Sequence, residues 1–182
     1  MNKIILPSLA LATLLLLSGC LEKVPWLEKQ LCPEPSKMTA VPYFCPEDNC
    51  SGHLIMLIDN ANTSVHAAVY SFTLDSVSDA LIRAKQRGVD VKVVVEKDQL
   101  SEYSEYEKLK KAGVPVRIDS NPASMHNKFA VIDGEIVVTG SFNWSNNADK
   151  RNNENMIVIN SEGIAFDYEK EFQEIFESGT IL

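Results

Sequence analysis

The sequence predicts an α/β/α sandwich built on a mixed, mostly parallel sheet, with an antiparallel hairpin inserted late in the chain. Three observations carry this. From residue 40 to 118, short runs rich in Val, Ile and aromatic residues alternate with stretches whose apolar residues recur at helical spacing. Asp133-Gly134 then divides two apolar runs, the strongest short-range signal for a hairpin. One more strand and one long amphipathic helix complete the pattern. Alternating strands and helices favour parallel pairing with helices on both faces.

Ala40–Phe44 reads as the first strand. Leu54, Leu57, Ile58 and Ala61 mark one face of a helix over 51–61, with Ser51 as its cap. Ser64–Phe72 is a buried strand. Ser76-Val77-Ser78-Asp79 resembles a capping box, followed by the stripe Val77, Ala80, Leu81, Ala84 and a stop at Gly88. Val89–Val95 is a strand, 102–112 a charged helix ending at Gly113, and Val114–Ile118 a strand. Residues 119–125 form a loop. After the hairpin, Trp144–Arg151 reads as a loop, 154–160 as a strand and 162–177 as a helix burying Ile164, Tyr168, Phe172, Ile175 and Phe176.

The composition is that of an ordinary globular chain, with 45% apolar and 23% charged residues. A net charge of −8 makes non-specific binding to polyanions weak, so any phosphate must be held by a local basic site. The N-terminus reads as an export signal: Lys3, then an apolar run from Ile4 to Leu17, then Ser18-Gly19-Cys20. Leu17-Ser18-Gly19-Cys20 resembles the lipobox of prokaryotic lipoproteins, in which the cysteine is lipidated. The expected organisation is a signal peptide over 1–19, a Pro-containing tether over 20–38 and one folded domain over 39–182, exported and lipid-anchored to the extracytoplasmic face of a membrane. Cys45 and Cys50 could close a small disulfide loop, leaving Cys32 over; the alternative is a zinc site from Cys32, Cys45, Cys50 and His53.

The hairpin runs from His126 to Asn143. Side chains two apart on a strand share a face, so His126 and Lys128 point the same way. If Asp133-Gly134 is a two-residue turn, Lys128 faces Thr139 and His126 faces Ser141, with Asn143 one step beyond. Imidazole, ammonium, hydroxyl and amide then cluster at one end. Asp133 lies at the other, roughly 20 Å from His126 at about 3.3 Å per residue. Such a cluster suits phosphate chemistry: Lys128, Ser141 and Asn143 can donate to phosphate oxygens, and histidine serves as nucleophile or general acid/base near neutral pH. His53 and His66 read as a surface residue and a packed core residue.

His126-x-Lys128-x4-Asp133-x6-Gly140-Ser141-x-Asn143 matches the HKD signature of the phospholipase D superfamily without a gap. Asn152-x-Glu154 resembles the element that follows it, and Tyr70-Ser71-Phe72-Thr73 and Arg87–Val91 are similar to other family segments. With one motif rather than two, the chain resembles the small subgroup of bacterial endonucleases and mitochondrial cardiolipin hydrolase-like proteins, which form homodimers with the active site across the twofold axis. The resemblance implies a hydrolase working through a phosphohistidine. One His126 attacks phosphorus and its copy protonates the leaving oxygen. Lys128 and Asn143 hold the non-bridging oxygens, Ser141 supports them and Glu154 orients the imidazole. Asp133 belongs to turn structure. No metal or other cofactor is needed, because Lys128 supplies the positive charge. Nucleic acid is the first substrate class to expect and phospholipid the second; a membrane-tethered binding module without catalysis is disfavoured by the intact motif.

Overall fold

The computed structural model describes residues 38–181. The expected signal peptide, Cys20, Cys32 and all but the last residue of the tether lie outside the described residues. Seven strands form one sheet: β1 (Thr39–Cys45), β2 (Ser64–Val69), β3 (Asp90–Val95), β4 (Val116–Ile118), β5 (Lys128–Ile132), β6 (Ile136–Gly140) and β7 (Glu154–Asn160). Among the described residues five α-helices accompany them: α1 (Cys50–Asn60), α2 (Asp75–Gln86), α3 (Tyr106–Lys111), α4 (Asn146–Lys150) and α5 (Glu162–Ser178). The spatial order is β1-β7-β6-β5-β2-β3-β4.

The mixed sheet, the flanking helices and the inserted hairpin are as expected, but the balance of pairing is not. Two neighbouring pairs, β2–β3 and β3–β4, are parallel; the other four are antiparallel. The reason is placement. β1 does not join β2 through α1 but runs to the far edge, beside β7. Strands β1, β2, β3, β4 and β6 still point the same way, which is why the chain's rhythm reads as parallel, yet β5 and β7 lie between several of them.

One face of the sheet packs Val65, Ala67, Val91, Val93, Ala130 and Val138 against Leu54 and Ile58 of α1 and Val77 and Leu81 of α2. The other packs Ala68, Val94, Phe129, Val131 and Val137 against Ala165, Phe172 and Phe176 of α5. The alternation of Ala67/Ala68 and Ala130/Val131 between the faces is the period-two rule at work.

Several boundaries move. Ser51 is inside α1 rather than its cap: its buried N–H donates to Asp149 Oδ1 at 3.2 Å, and the Cys45–Cys50 disulfide brings the chain round into the helix. That bond removes both thiols as zinc ligands. α2 begins at Asp75, so Ser76 lies inside the helix and the cap position falls to Leu74, whose side chain has no acceptor; Ser78 Oγ instead lies within hydrogen-bond reach of Asp75 O and Glu105 Oε2. The stretch expected to be a loop over 144–151 contains α4, capped by Ser145 Oγ on Ala148 N–H. Trp144 is buried edge-on against Phe72, with ring centroids 5.0 Å apart, so it seals the core edge.

The hairpin register also shifts. Asp133 and Gly134 take positive φ (55° and 69°) and Glu135 N–H donates to Ile132 O, as a primed turn requires. Glu135 is nevertheless an extra residue. Its carbonyl accepts from Ser161 at the head of α5, so Ile132 pairs with Ile136 and Phe129, not Lys128, sits opposite Thr139. A second irregularity follows at Gly140 (φ 146°), where Ser141 and Phe142 both donate to Asn155 O. Any Cβ at Gly140 would collide with that carbonyl. This bulge frees Ser141 and Asn143 from the ladder.

Candidate active site

The co-directed strands deliver their ends to one pole. Tyr70 follows β2, Glu96 follows β3, Ser141 follows β6, His126 precedes β5 and Glu154 opens β7. Chemistry in sheets of this kind gathers at such ends.

The His126 imidazole is exposed and packs against the Tyr70 ring, centroids 4.3 Å apart. Behind it the Lys128 side chain is buried. Its ammonium donates to His126 O at 2.7 Å, lies 3.2 Å from His126 Nδ1 and sits 4.8 Å over the Tyr70 ring. Burial pulls the Lys128 ammonium below the ordinary lysine range, and the nearby Glu154 carboxylate partly restores it. The remaining ring nitrogen of His126, Nε2, has no hydrogen-bond partner among the described residues and opens to solvent.

Glu154 does not bond to the imidazole. Its Oε2 accepts from Ser141 Oγ at 2.5 Å and its Oε1 from Asn152 Nδ2 at 3.1 Å. Within one chain Glu154 is thus tied to Ser141 and Asn152 rather than to His126, and its charge acts on Lys128. Ser141 also differs from expectation. A hydroxyl has one proton, here given to Glu154, while its oxygen accepts from Asn155 N–H at 3.0 Å. Ser141 locks Glu154 rather than reaching outward. Asn143 is half-buried, and its Oδ1 is a buried acceptor without a partner among the described residues. An orphan of this kind costs about 1–3 kcal/mol, and a catalytic role is one of the reasons such a cost is kept.

Asp133 is far from this pole. Its carboxylate accepts from the N–H groups of Asn62 (3.0 Å), Thr63 (2.7 Å) and Ser64 (3.0 Å) and from Thr63 Oγ1 (3.0 Å). Burial opposes its ionisation, but those donors prevail and hold the carboxyl below its ordinary range. His53 stacks on Tyr43, centroids 4.0 Å apart. His66 is buried under Phe172 between Glu169 Oε1 (2.7 Å) and Asp90 Oδ2 (3.3 Å). Neither is placed with His126.

Three residues at the pole escaped the sequence reading. Tyr70 lay in a noted segment, but nothing marked its ring as the platform for both His126 and Lys128. Gln99 donates to the Tyr70 hydroxyl at 3.0 Å. Glu96, fully buried at the end of β3, accepts from Met125 N–H at 2.6 Å. A carboxylate ending the run Val93-Val94-Val95 was the available signal. Beside His126 runs an open groove of about 580 Å³, whose other ionisable linings are Asp119, Glu171 and Glu174. Among the described residues no cluster of three or more His, Cys, Asp or Glu is arranged to hold a metal.

Residues 54–176 match the family model described as cardiolipin synthase, PLD-like domain. The chain is 33% identical over 160 residues to a mitochondrial cardiolipin hydrolase of Xenopus tropicalis, covering 87% of this chain and 71% of that protein. It is 35% identical over 137 residues to a phospholipase D of Rickettsia typhi, covering 75% and 67%. Among solved structures, the phospholipase D family member Nuc from Salmonella typhimurium superposes with a TM-score of 0.74 at 32% identity, over 79% of this chain and 97% of that one. NucT from Helicobacter pylori shares the fold at 24% identity, with a TM-score of 0.73 over 80% of this chain and 100% of that one. The single pole carrying His126 and Lys128 and these matches lead to one statement: the chain belongs to the phospholipase D superfamily, as a single-motif phosphodiester hydrolase.

Proposed function

We propose that the protein is a metal-independent phosphodiesterase whose active site is completed by a second copy of the chain, cleaving nucleic acid through a phosphohistidine. The observation that supports this is the solitary His126. Of the chain's three histidines, His53 and His66 are committed to packing and hydrogen bonding elsewhere. Two-step transfer wants one imidazole to attack and another to protonate the leaving oxygen. A twofold interface is self-complementary, so it can set His126 beside its own copy.

The steps follow. On binding, the Lys128 ammonium turns from His126 Nδ1 to a non-bridging oxygen, joined by the Asn143 amide. The ring proton exchanges onto Nδ1, and the Nε2 lone pair attacks phosphorus. The bond to the leaving oxygen breaks as the second His126, an imidazolium, protonates that oxygen. The same imidazole then takes a proton from water, whose oxygen displaces His126 and releases the phosphomonoester. Lys128 supplies the fixed positive charge that stabilises the negative charge on the non-bridging oxygens in the transition state.

A second reading, hydrolysis of a phospholipid, draws support from the acidic linings Asp119, Glu171 and Glu174, which repel a long polyanion, and from the lipobox-like Cys20. The names of the relatives, cardiolipin hydrolase and phospholipase D, point the same way. Export and a lipid anchor at Cys20 remain part of the proposal; Cys20→Ala should release the protein from membranes.

The test has two arms. Single-stranded DNA, RNA, duplex DNA and phospholipid vesicles are offered in parallel with chelator present. Cleavage that requires added metal, or survives in His126→Ala, overturns the mechanism. Wild type is then refolded with an equal amount of His126→Ala. A shared site leaves about one quarter of the undiluted activity, since random pairing makes only that share of dimers fully wild type; independent subunits leave about one half.

A further inference from the structure

We infer that Glu96 is a positioning residue for His126, acting through the backbone of the segment before it. This rests on reading His126 as the nucleophile. Glu96 sits where β3 ends and is fully buried, an unusual place for a carboxylate. Its Oε2 accepts from Met125 N–H at 2.6 Å and Ser124 Oγ at 3.3 Å, and its Oε1 from Asp98 N–H at 3.2 Å. Met125 immediately precedes His126 and is itself buried.

The contacts form a chain of consequences. Glu96 fixes Met125 N–H, and so the carbonyl and ring of the next residue. His126 O takes the Lys128 ammonium at 2.7 Å, and His126 Nδ1 lies 3.2 Å from it. One residue later, Asn127 O accepts from Tyr70 N–H at 2.8 Å, which joins the same segment to the end of β2. The approach loop is clamped nearby as well: Lys97 Nζ donates to Asn121 O at 2.6 Å, and Asp119 Oδ2 accepts from Asn121 N–H at 2.8 Å. Glu96 alone among these grips the residue next to the imidazole from its N-terminal side.

A buried carboxylate is a costly way to hold a loop, since an apolar side chain there would pack without desolvating a charge. Its advantage is geometric. Short charge-assisted bonds to Met125 N–H set the backbone on a rigid strand end rather than on the loop. A displacement of about 1 Å in a nucleophile can cost on the order of 100-fold in rate.

The test compares wild type, Glu96→Gln, Glu96→Asp and Ser124→Ala. Gln matches the shape but must present its amide N–H₂ to one of the backbone donors. The expected result is a folded Glu96→Gln enzyme whose kcat falls roughly 10- to 100-fold while KM changes less than about 2-fold. Its alkaline limb should move to lower pH, because a displaced His126 carbonyl no longer supports the Lys128 ammonium. Glu96→Asp, which keeps the charge, should recover part of kcat. If Glu96→Gln does not fold, Ser124→Ala carries the test, with a kcat loss of roughly 2- to 5-fold and unchanged KM. Wild-type kcat and pH profile in a folded Glu96→Gln, or in Ser124→Ala where that must stand in, overturns the inference. His126→Ala is assayed alongside. If it stays active, the reading of His126 has failed; if it is dead while Glu96→Gln is unimpaired, the positioning role alone has failed.

Discussion

Asp133→Ala separates the motif's chemistry from its architecture. Four donors converge on the Asp133 carboxylate: three backbone N–H groups, from Asn62, Thr63 and Ser64, and the Thr63 hydroxyl. Hydrogen bonds to a charged group contribute about 1.5–3 kcal/mol each where water is excluded. Here the Asn62–Thr63 turn is exposed, and water re-solvates most of the donors after truncation, so a net loss of about 2 kcal/mol is expected. Ala must also hold the left-handed conformation that Asp133 adopts, which adds about 1 kcal/mol. The total, about 3 kcal/mol, corresponds to roughly a 10 °C fall in Tm for a domain of this size. Asp133→Asn tolerates the conformation and keeps one acceptor, so it should lose about half as much. Urea unfolding at pH 7 measures both. The sign with pH is fixed by the depressed pKa: the contribution of Asp133 is full above the unfolded carboxylate value of about 3.9 and disappears as pH falls through the lower folded value. Wild type and Asp133→Asn should therefore converge in stability in strong acid. Below its own Tm each variant should keep kcat within about 2-fold, since the carboxylate lies roughly 20 Å from His126. A 10-fold or greater loss of kcat with unchanged stability would refute this assignment.

Three further outcomes can be checked together. Glu154→Gln removes the charge that partly offsets the burial of Lys128, so the alkaline limb of the pH–rate profile should move to lower pH; a limb that stays or moves up would sink the coupling. Reducing the Cys45–Cys50 bond opens a loop of about six residues, for which chain entropy gives a loss of about 2 kcal/mol, readable as a lower urea midpoint with kcat unchanged. Tyr70→Leu keeps an apolar wall but removes the ring under the ammonium and the hydroxyl bonded to Gln99; kcat should fall roughly 10-fold, and an unaffected enzyme would show the ring to be filler.

The elements of this fold were legible because burial imposes period two on strands and 3.6 on helices. The pairing of those elements was not. Nothing in Ala40–Phe44 tells that strand to sit beside β7 rather than β2, since its apolar residues serve either edge. Glu135 and Gly140 show the same limit more finely. Glu135 shifts the hairpin ladder, its carbonyl being claimed by Ser161, and Gly140 interrupts the β6–β7 ladder where its backbone meets Asn155 O. Long-range partners of that sort leave no local trace. The proximity of His126 and Lys128 is legible because two residues apart in extended chain is a local relation, even though β5 begins only at Lys128. The bond between Ser141 and Glu154 has no local signal, because it joins residues 13 apart across a bulge.

The two ends of the hairpin carry opposite demands, and their electrostatics differ accordingly. At the Asp133 end every acceptor oxygen meets donors from its own chain, and the charge is stabilised on folding. At the His126 end the folded chain leaves its groups unfinished. The Lys128 ammonium is desolvated with one carboxylate nearby, Asn143 Oδ1 lacks a donor, and His126 Nε2 faces solvent. On the proposed reading, a phosphodiester supplies the anion for the ammonium, and a second copy of the chain supplies a donor and an acid. A folded monomer that keeps such groups unsatisfied gives up stability at this pole in return for strong differential binding of a charged transition state. If so, truncation at the pole should stabilise the domain while abolishing activity. Asn143→Leu, which replaces the orphan amide with an apolar side chain, should raise the urea midpoint and lower kcat together. A variant that loses both would show Asn143 to be structural.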